Sequence, residues 1–255
     1  MDASLVFLHG FLGTPATWDA TRAHLGAHRG EAPWLPWHGP DPWTPRARAS
    51  FESVVDELVE RVVGERVSGV GDGAPPWLVG YSLGGRLAMG MLARHPQRFA
   101  GALLVGAHAG LRTEPERAAR SAEDDARAEV LQRDGLLAFV DGWERLPLFA
   151  TQAALPAEVR ARQRASRLAH HPEALAQALR VLGLGRMPAW WRALAEVRDR
   201  VCIVVGERDE KFAALSASLA AEIGLEVETV AQAGHNVALE APQALAQAVR
   251  ARLGR

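Results

Sequence analysis

The 255-residue chain contains one cysteine, one tyrosine and one lysine. Cys202 has no partner for an internal disulfide. It lies in the apolar run Val201–Val205, which marks it as a buried core thiol. Charge of one sign is also missing: 29 basic side chains stand against 30 acidic ones, for a formal net charge of −1. That balance argues against nucleic acid as the main partner, which requires a basic surface. No apolar run approaches the roughly 18 residues of a membrane span. The opening Met1-Asp2-Ala3-Ser4 lacks the basic stretch that starts a secretory signal, so a cytoplasmic protein is expected. Neither a metal-ligand cluster nor a phosphate-cradling glycine loop is present, and no cofactor is expected. Disorder is excluded by an apolar fraction of 48 %.

Short apolar runs recur, each ending at glycine or a turn: Leu5–Leu8, Trp77–Val79, Ala102–Val105 and Val201–Val205. Unbroken runs of this kind predict parallel strands buried on both faces. Weaker strands are expected near Glu31–Leu35 and Glu226–Val230. Helical patterns at Phe51–Val63, Gly84–Arg94 and Pro242–Leu253 lie between or after them. This alternation predicts an α/β fold, a mostly parallel sheet with helices on both faces. The Pro- and Trp-rich stretch Pro33–Pro45 reads as a long surface loop, and Gly64–Pro76 as a flexible connection. Between about Leu111 and Val197 no strand pattern appears. Prolines at 115, 147, 156, 172 and 188 divide this stretch into several short helices, and its arginines slightly outnumber its acids. It is expected to be a helical cap inserted between two strands. The division is then 1–110 and 198–255 for the core and 111–197 for the cap.

Gly80-Tyr81-Ser82-Leu83-Gly84 matches G-x-S-x-G, directly after an apolar run and directly before a helical pattern. That context suits a nucleophile on a sharp strand-to-helix turn. Glycines flank the serine because a Cβ there would clash within the turn. Leu8-His9-Gly10-Phe11 ends the first strand, where a serine hydrolase places one donor of its oxyanion hole. The N–H groups of Phe11 and Leu83 are therefore the expected hole. Ala233-Gly234-His235-Asn236 follows the last predicted strand and offers the base, His235. The acid should fall between serine and histidine in chain order. Asp209, just beyond the run Val201–Val205, is the choice, with Glu207 and Glu210 as neighbouring competitors. Its role would be to hold the His235 tautomer and stabilise the imidazolium.

Ser82, Asp209 and His235, with their flanks, resemble the α/β-hydrolase superfamily over nearly the whole chain. Finer motifs are similar to those of the 2-succinyl-6-hydroxy-2,4-cyclohexadiene-1-carboxylate synthases of menaquinone biosynthesis. They are Leu8–Phe11, Gly80–Arg86, Glu116–Arg120, Gly206–Phe212 and Gly234–Asn236 followed by Glu240-Ala241-Pro242. In the cap, Trp143, Pro147–Phe149 and Arg167 also fit.

The resemblance implies a lyase. Pyruvate would be expelled from a cyclohexene bearing a carboxylate, a succinyl group and an enolpyruvyl ether. Ser82, activated by His235, would act as base, and the hole would hold negative charge on the succinyl carbonyl oxygen. Three substrate carboxylates would call for arginine forks. Arg86, one helical turn past Ser82, and the cap residues Arg120 and Arg167 are the expected set. Trp143 and Phe149 would form an apolar wall, and Tyr81 could bond the substrate. A carboxylesterase or C–C-bond hydrolase with Ser82 as covalent nucleophile uses the same triad. A non-catalytic binding protein on this fold is a further alternative. The expected partner is a small polycarboxylate, and the expected assembly a monomer or small homo-oligomer.

Overall fold

The computed structural model describes residues 4–26, 30–46, 49–64 and 74–254. Its strands are β1 Leu5–Leu8, β2 Gly30–Glu31, β3 Trp77–Tyr81, β4 Gly101–Val105, β5 Val201–Gly206 and β6 Glu226–Val230. They form one sheet in the order β2-β1-β3-β4-β5-β6, and every pairing is parallel. The helices are α1 Asp19–Ala23, α2 Phe51–Gly64, α3 Leu83–Arg94, α4 Glu114–Glu144, α5 Ala157–Arg167, α6 Pro172–Leu182, α7 Trp191–Glu196, α8 Glu210–Ile223, α9 Val237–Glu240 and α10 Pro242–Leu253. Among the described residues, no helix is long and apolar enough to cross a membrane.

Alternation along the strands divides the core. Val6, Leu8, Leu78, Leu104 and Ile203 face α2 and α3. Leu5, Phe7, Val79, Leu103, Val105 and Cys202 face α10 on the other side. A strand covered on both faces has no use for polar alternation, which is why these segments read as continuous apolar runs. Cys202 is fully buried, and burial pushes its thiol up to about 11, so it is unreactive packing.

The segment between β4 and β5 is helical, as expected, but not built of short helices throughout. α4 runs 31 residues and breaks only at Gly135, where φ is +80°. It opens with a capping box: Glu116 N–H donates to Thr113 Oγ1 and Thr113 N–H donates to the Glu116 carboxylate. Pro115 in its first turn starts the helix rather than stopping it. Ala128, Leu131, Val140, Leu175 and Ala176 form a small core between α4 and α6, which Leu12 enters from the β1 loop. The other face of α6, at Ala178, Val181 and Leu182, joins the main core. The insertion is thus seated on the sheet side by α6 and by the loop after β1.

Two expectations need correction. The strand near Glu31–Leu35 shrinks to Gly30–Glu31, because the chain turns inward after its two pairings with β1. The stretch Pro33–Pro45 is not a surface loop: Leu35, Trp37 and His38 are buried within it. The prolines interrupt regular structure there, but Trp37 is buried and Trp34 and Trp43 are half-buried, so their large apolar area packs inward. Most of the connection Gly64–Pro76 lies outside the described residues.

Candidate active site

β3 delivers Ser82 at its carboxyl end, and the helix α3 begins at the next residue. Ser82 has φ 50° and ψ −106°, a strained conformation for a side-chain-bearing residue. Two bonds hold it: Ser82 N–H donates to Val105 O at 2.9 Å, and Ser82 O accepts from Arg86 N–H at 3.0 Å. The strain also needs glycine neighbours. A Cβ on Gly80 would lie 2.5 Å from Gly84 O, and one on Gly84 would run into Leu8 O. The elbow and the end of β1 are therefore packed backbone to backbone. This places Phe11 and Leu83 beside Ser82 around one cavity. Neither N–H donates to another described residue. An oxyanion hole requires such free donors.

β5 and β6 deliver the other two members. Asp209 Oδ2 accepts from His235 Nδ1 at 2.6 Å, and both side chains are buried. The other oxygen, Oδ1, accepts from Phe212 N–H and caps α8. One carboxylate thus anchors both the helix and the imidazole, which leaves His235 Nε2 as the acceptor nitrogen of a neutral ring. Glu207 instead accepts from Gln232 N–H and is exposed, and Glu210 is exposed as well. Ser82 and His235 make no hydrogen bond in this structure; contacts of this kind tighten when substrate binds.

A residue that had been given no role of its own fixes the His235 loop. Glu240 accepts from Gly234 N–H at 2.7 Å and from Asn236 N–H at 3.2 Å, clamping the backbone on both sides of His235. Its signals were its place in the segment Glu240-Ala241-Pro242 and its position one helical turn past Asn236. Rings enclose the imidazole: Phe212, Tyr81 and Phe149 have centroids 4.6, 5.3 and 6.2 Å from it. Burial pushes the Tyr81 hydroxyl well above its ordinary value, so it remains a neutral donor.

The cavity measures about 580 Å³. Phe11, Trp143 and Phe149 form one wall, with centroids 5.3 and 5.8 Å from Trp143. Arg86 lines the same cavity. One of its nitrogens donates to Leu182 O at 2.6 Å, and no carboxylate lies within ion-pair distance among the described residues. Burial, and then the like charge of Arg120, lower the guanidinium to about 10, so it remains a cation at neutral pH. Arg120 also lines the cavity but is already paired with Asp124 at 3.0 Å. Asp124 is buried and additionally accepts from Arg127 and from Leu184 N–H.

Arg167 is the exception among the expected residues. It does not line this cavity. It stands behind Phe149, its carbon centre 5.2 Å from that ring, and bonds Glu144 at 2.9 Å and Gln152 at 3.1 Å. Glu144 fixes it there, shared with Arg164. Ser82, Asp209, His235, Phe11, Leu83, Tyr81, Arg86, Arg120, Trp143 and Phe149 all meet at the cavity. Two further lining residues, His108 and Lys211, had been assigned no role from the sequence.

Comparison with known proteins agrees with this geometry. The model of the Alpha/beta hydrolase family matches residues 5–248. A 2-succinyl-6-hydroxy-2,4-cyclohexadiene-1-carboxylate synthase from Enterobacter sp. (strain 638) is 34 % identical over 253 residues, covering 98 % of this chain and 92 % of that protein. The solved structure of MenH from S. aureus superposes with a TM-score of 0.89 at 30 % identity, covering 100 % of this chain and 94 % of that one. A thermophilic esterase from Thermogutta terrifontis reaches a TM-score of 0.80 at 24 % identity over 99 % and 89 % of the two chains, which is a likeness of fold. The chain belongs to the α/β-hydrolase family and, within it, to the family of the 2-succinyl-6-hydroxy-2,4-cyclohexadiene-1-carboxylate synthases.

Proposed function

We propose that this chain is a lyase. It eliminates pyruvate from 2-succinyl-5-enolpyruvyl-6-hydroxy-3-cyclohexene-1-carboxylate to give 2-succinyl-6-hydroxy-2,4-cyclohexadiene-1-carboxylate. Arg86 carries this reading. It is a half-buried guanidinium with no carboxylate within ion-pair distance among the described residues, one turn past the reactive serine, in a cavity that Phe11, Trp143 and Phe149 wall on one side. A cation drawn partly out of water without an acid to pair it is costly, so a site that keeps one is built for an anion. A pocket for a neutral ester has no use for it.

The remaining residues take roles that suit the reaction. His235, held by Asp209, receives the Ser82 Oγ proton on Nε2, and Ser82 Oγ then removes a ring proton. The electron pair moves through the ring as the enolpyruvyl C–O bond breaks; the departing enolpyruvate takes the proton held by His235 and becomes pyruvate, while Ser82 keeps the ring proton as its hydroxyl. Negative charge on the succinyl carbonyl oxygen is met by the N–H groups of Phe11 and Leu83. Arg120 supplies a second, partly neutralised guanidinium, Trp143 and Phe149 exclude water, and the neutral Tyr81 hydroxyl donates to substrate. Arg167 has no direct part. It supports Phe149 from behind. Residues 111–197 serve as a cap over a core of 1–110 and 198–255. The proposal includes a cytoplasmic setting and a polycarboxylate as the small-molecule partner.

The test is incubation with the enolpyruvyl cyclohexene while pyruvate is followed, with a chromogenic ester in parallel. Pyruvate release that needs Ser82 supports the lyase. Rapid ester hydrolysis without pyruvate release makes the chain an esterase using Ser82 as covalent nucleophile.

A further inference from the structure

His108 stands three residues past the end of β4, in the same cavity as Ser82 and Arg86, and the chemistry above does not use it. Its Nδ1 accepts from Gly110 N–H at 3.0 Å. That bond fixes the tautomer: in the neutral ring the proton sits on Nε2. No described residue accepts from Nε2. The charged groups that face the ring are Arg86 on α3, Lys211 on α8, Arg120 on α4, and Glu116 on α4 as the one acid. Burial first, then Arg86, Lys211 and Arg120, hold the imidazole down to about 4.

Lys211, the chain's single lysine, is exposed at the rim of the cavity. It has no carboxylate within ion-pair distance among the described residues. Arginine serves almost every other cationic position in this chain, usually in a geometry fixed by an acid, as with Arg94 and Asp56. A lone flexible ammonium differs: it can follow a charge into the cavity without matching a planar fork.

We propose that His108 and Lys211 form a second anion subsite beside Arg86, in which the imidazole Nε2–H and the Lys211 ammonium both donate to one substrate carboxylate. This rests on the polycarboxylate reading above and deepens it. A neutral donor suits the position, because a fourth cation beside Arg86, Lys211 and Arg120 would be repelled before substrate arrived. The arriving carboxylate offsets those cations, so the imidazole becomes easier to protonate. Substrate binding in mildly acidic solution then takes one proton from water onto His108 Nδ1, breaking the Gly110 contact.

The two ring nitrogens can be tested separately. H108N places an amide oxygen where Nδ1 accepts from Gly110 N–H and leaves no group at the Nε2 position; H108Q reaches the Nε2 position with its amide N–H and leaves no group at the Nδ1 position. With the enolpyruvyl cyclohexene, H108N and K211Q should each raise KM about tenfold, the usual scale for one hydrogen bond to a charged group, with kcat within about twofold. H108Q should bind better than H108N. An unchanged KM in H108N and K211Q overturns the subsite, as does a loss confined to kcat. Should the variants fold poorly, the intact protein decides: its His108 ring nitrogens are followed by NMR through an acid titration with and without succinate. An upward move of the midpoint supports the subsite; no response to succinate overturns it. Succinate binding that H108N weakens, in a protein that never releases pyruvate, leaves the subsite standing and removes the lyase. Pyruvate release unaffected by H108N and K211Q does the opposite.

Discussion

Ser82 and Arg120 line one cavity, and the chain holds them by different means. Ser82 is set by backbone: a strained elbow wedged between Gly80, Gly84 and the end of β1. Arg120 is set by side chains: an ion pair to Asp124, which in turn holds Arg127 and Leu184 N–H. His235 and Arg167 are both held by side chains, but with different results: Asp209 and Glu240 fix His235 with Nε2 left free, whereas Glu144 and Gln152 occupy the Arg167 guanidinium itself. The sheet side offers its donors and acceptors free to substrate. Much of the inserted side has spent its charges on its own acids.

The largest effect should come from the sheet side. S82A and H235A should each lower pyruvate release by about 10³-fold or more, and the double variant should be little worse than either, because the two act as a unit. Additive losses would separate their roles and break the triad reading. Far-ultraviolet circular dichroism should show an unchanged fold.

The arginines sharpen the comparison directly. R86A removes a half-buried cation that has no acid within ion-pair distance among the described residues, and should cost on the order of 2–4 kcal/mol in kcat/KM for the tricarboxylate, roughly 30- to 1,000-fold. R86K should recover part of this, since an ammonium lacks the planar fork. R120A should cost less, about tenfold, because Asp124 already screens that charge. R167A should act mainly through Phe149, lowering thermal stability more than turnover. Hydrolysis of a small neutral ester, if present, should be indifferent to R86A. Equal losses across the three arginines would contradict the distinction between free and paired cations.

The Glu240 clamp has a smaller expected effect. E240Q leaves one carboxylate-like oxygen and replaces the other with a donor, so one of the two loop N–H groups loses its acceptor. A fall in kcat of about tenfold with KM little changed is expected, matching the loss of one hydrogen bond to a charged group. A change in KM alone would mean the clamp shapes the pocket rather than the base.

This division also explains what could be read from the chain. Strands at Leu5–Leu8 and Glu226–Val230, the elbow at Ser82 and the acid at Asp209 depend on local patterns: an apolar run, a glycine at a tight turn, a carboxylate at a strand end. Arg167 failed as a cavity residue because its position is decided by Glu144, 23 residues earlier, and Gln152, 15 residues earlier. No local pattern encodes that pairing, and an arginine-rich composition hides it. The loop Pro33–Pro45 failed for a related reason: its burial depends on histidines contributed by distant segments.

Those histidines join the two sides and yield the smallest effect on turnover, with a distinct effect on stability. His9 Nε2 accepts from Leu35 N–H, His38 Nδ1 donates to Pro36 O, and His170, from the insertion, accepts from Gly39 N–H at 2.9 Å. Burial lowers all three: His9 to about 3, His170 to about 4, and His38 well below its ordinary value. Neighbouring imidazoles, His171 beside His170 included, add to the effect. Above about pH 6.5 these rings are neutral in folded and unfolded chains alike and contribute nothing to pH dependence. As pH falls below that value the unfolded chain binds protons that the folded chain refuses. Stability then drops by up to about 1.4 kcal/mol per pH unit for each ring. For His170 the loss levels off near pH 4, once the folded ring also protonates. H170N keeps an acceptor for Gly39 N–H but cannot titrate. Urea unfolding between pH 7.5 and 4.5 should therefore show a slope shallower than the parent's by about one proton, with turnover at neutral pH unchanged. Identical slopes would mean that carboxylates alone drive the acid loss, and that the junction between sheet and insertion is indifferent to its histidines.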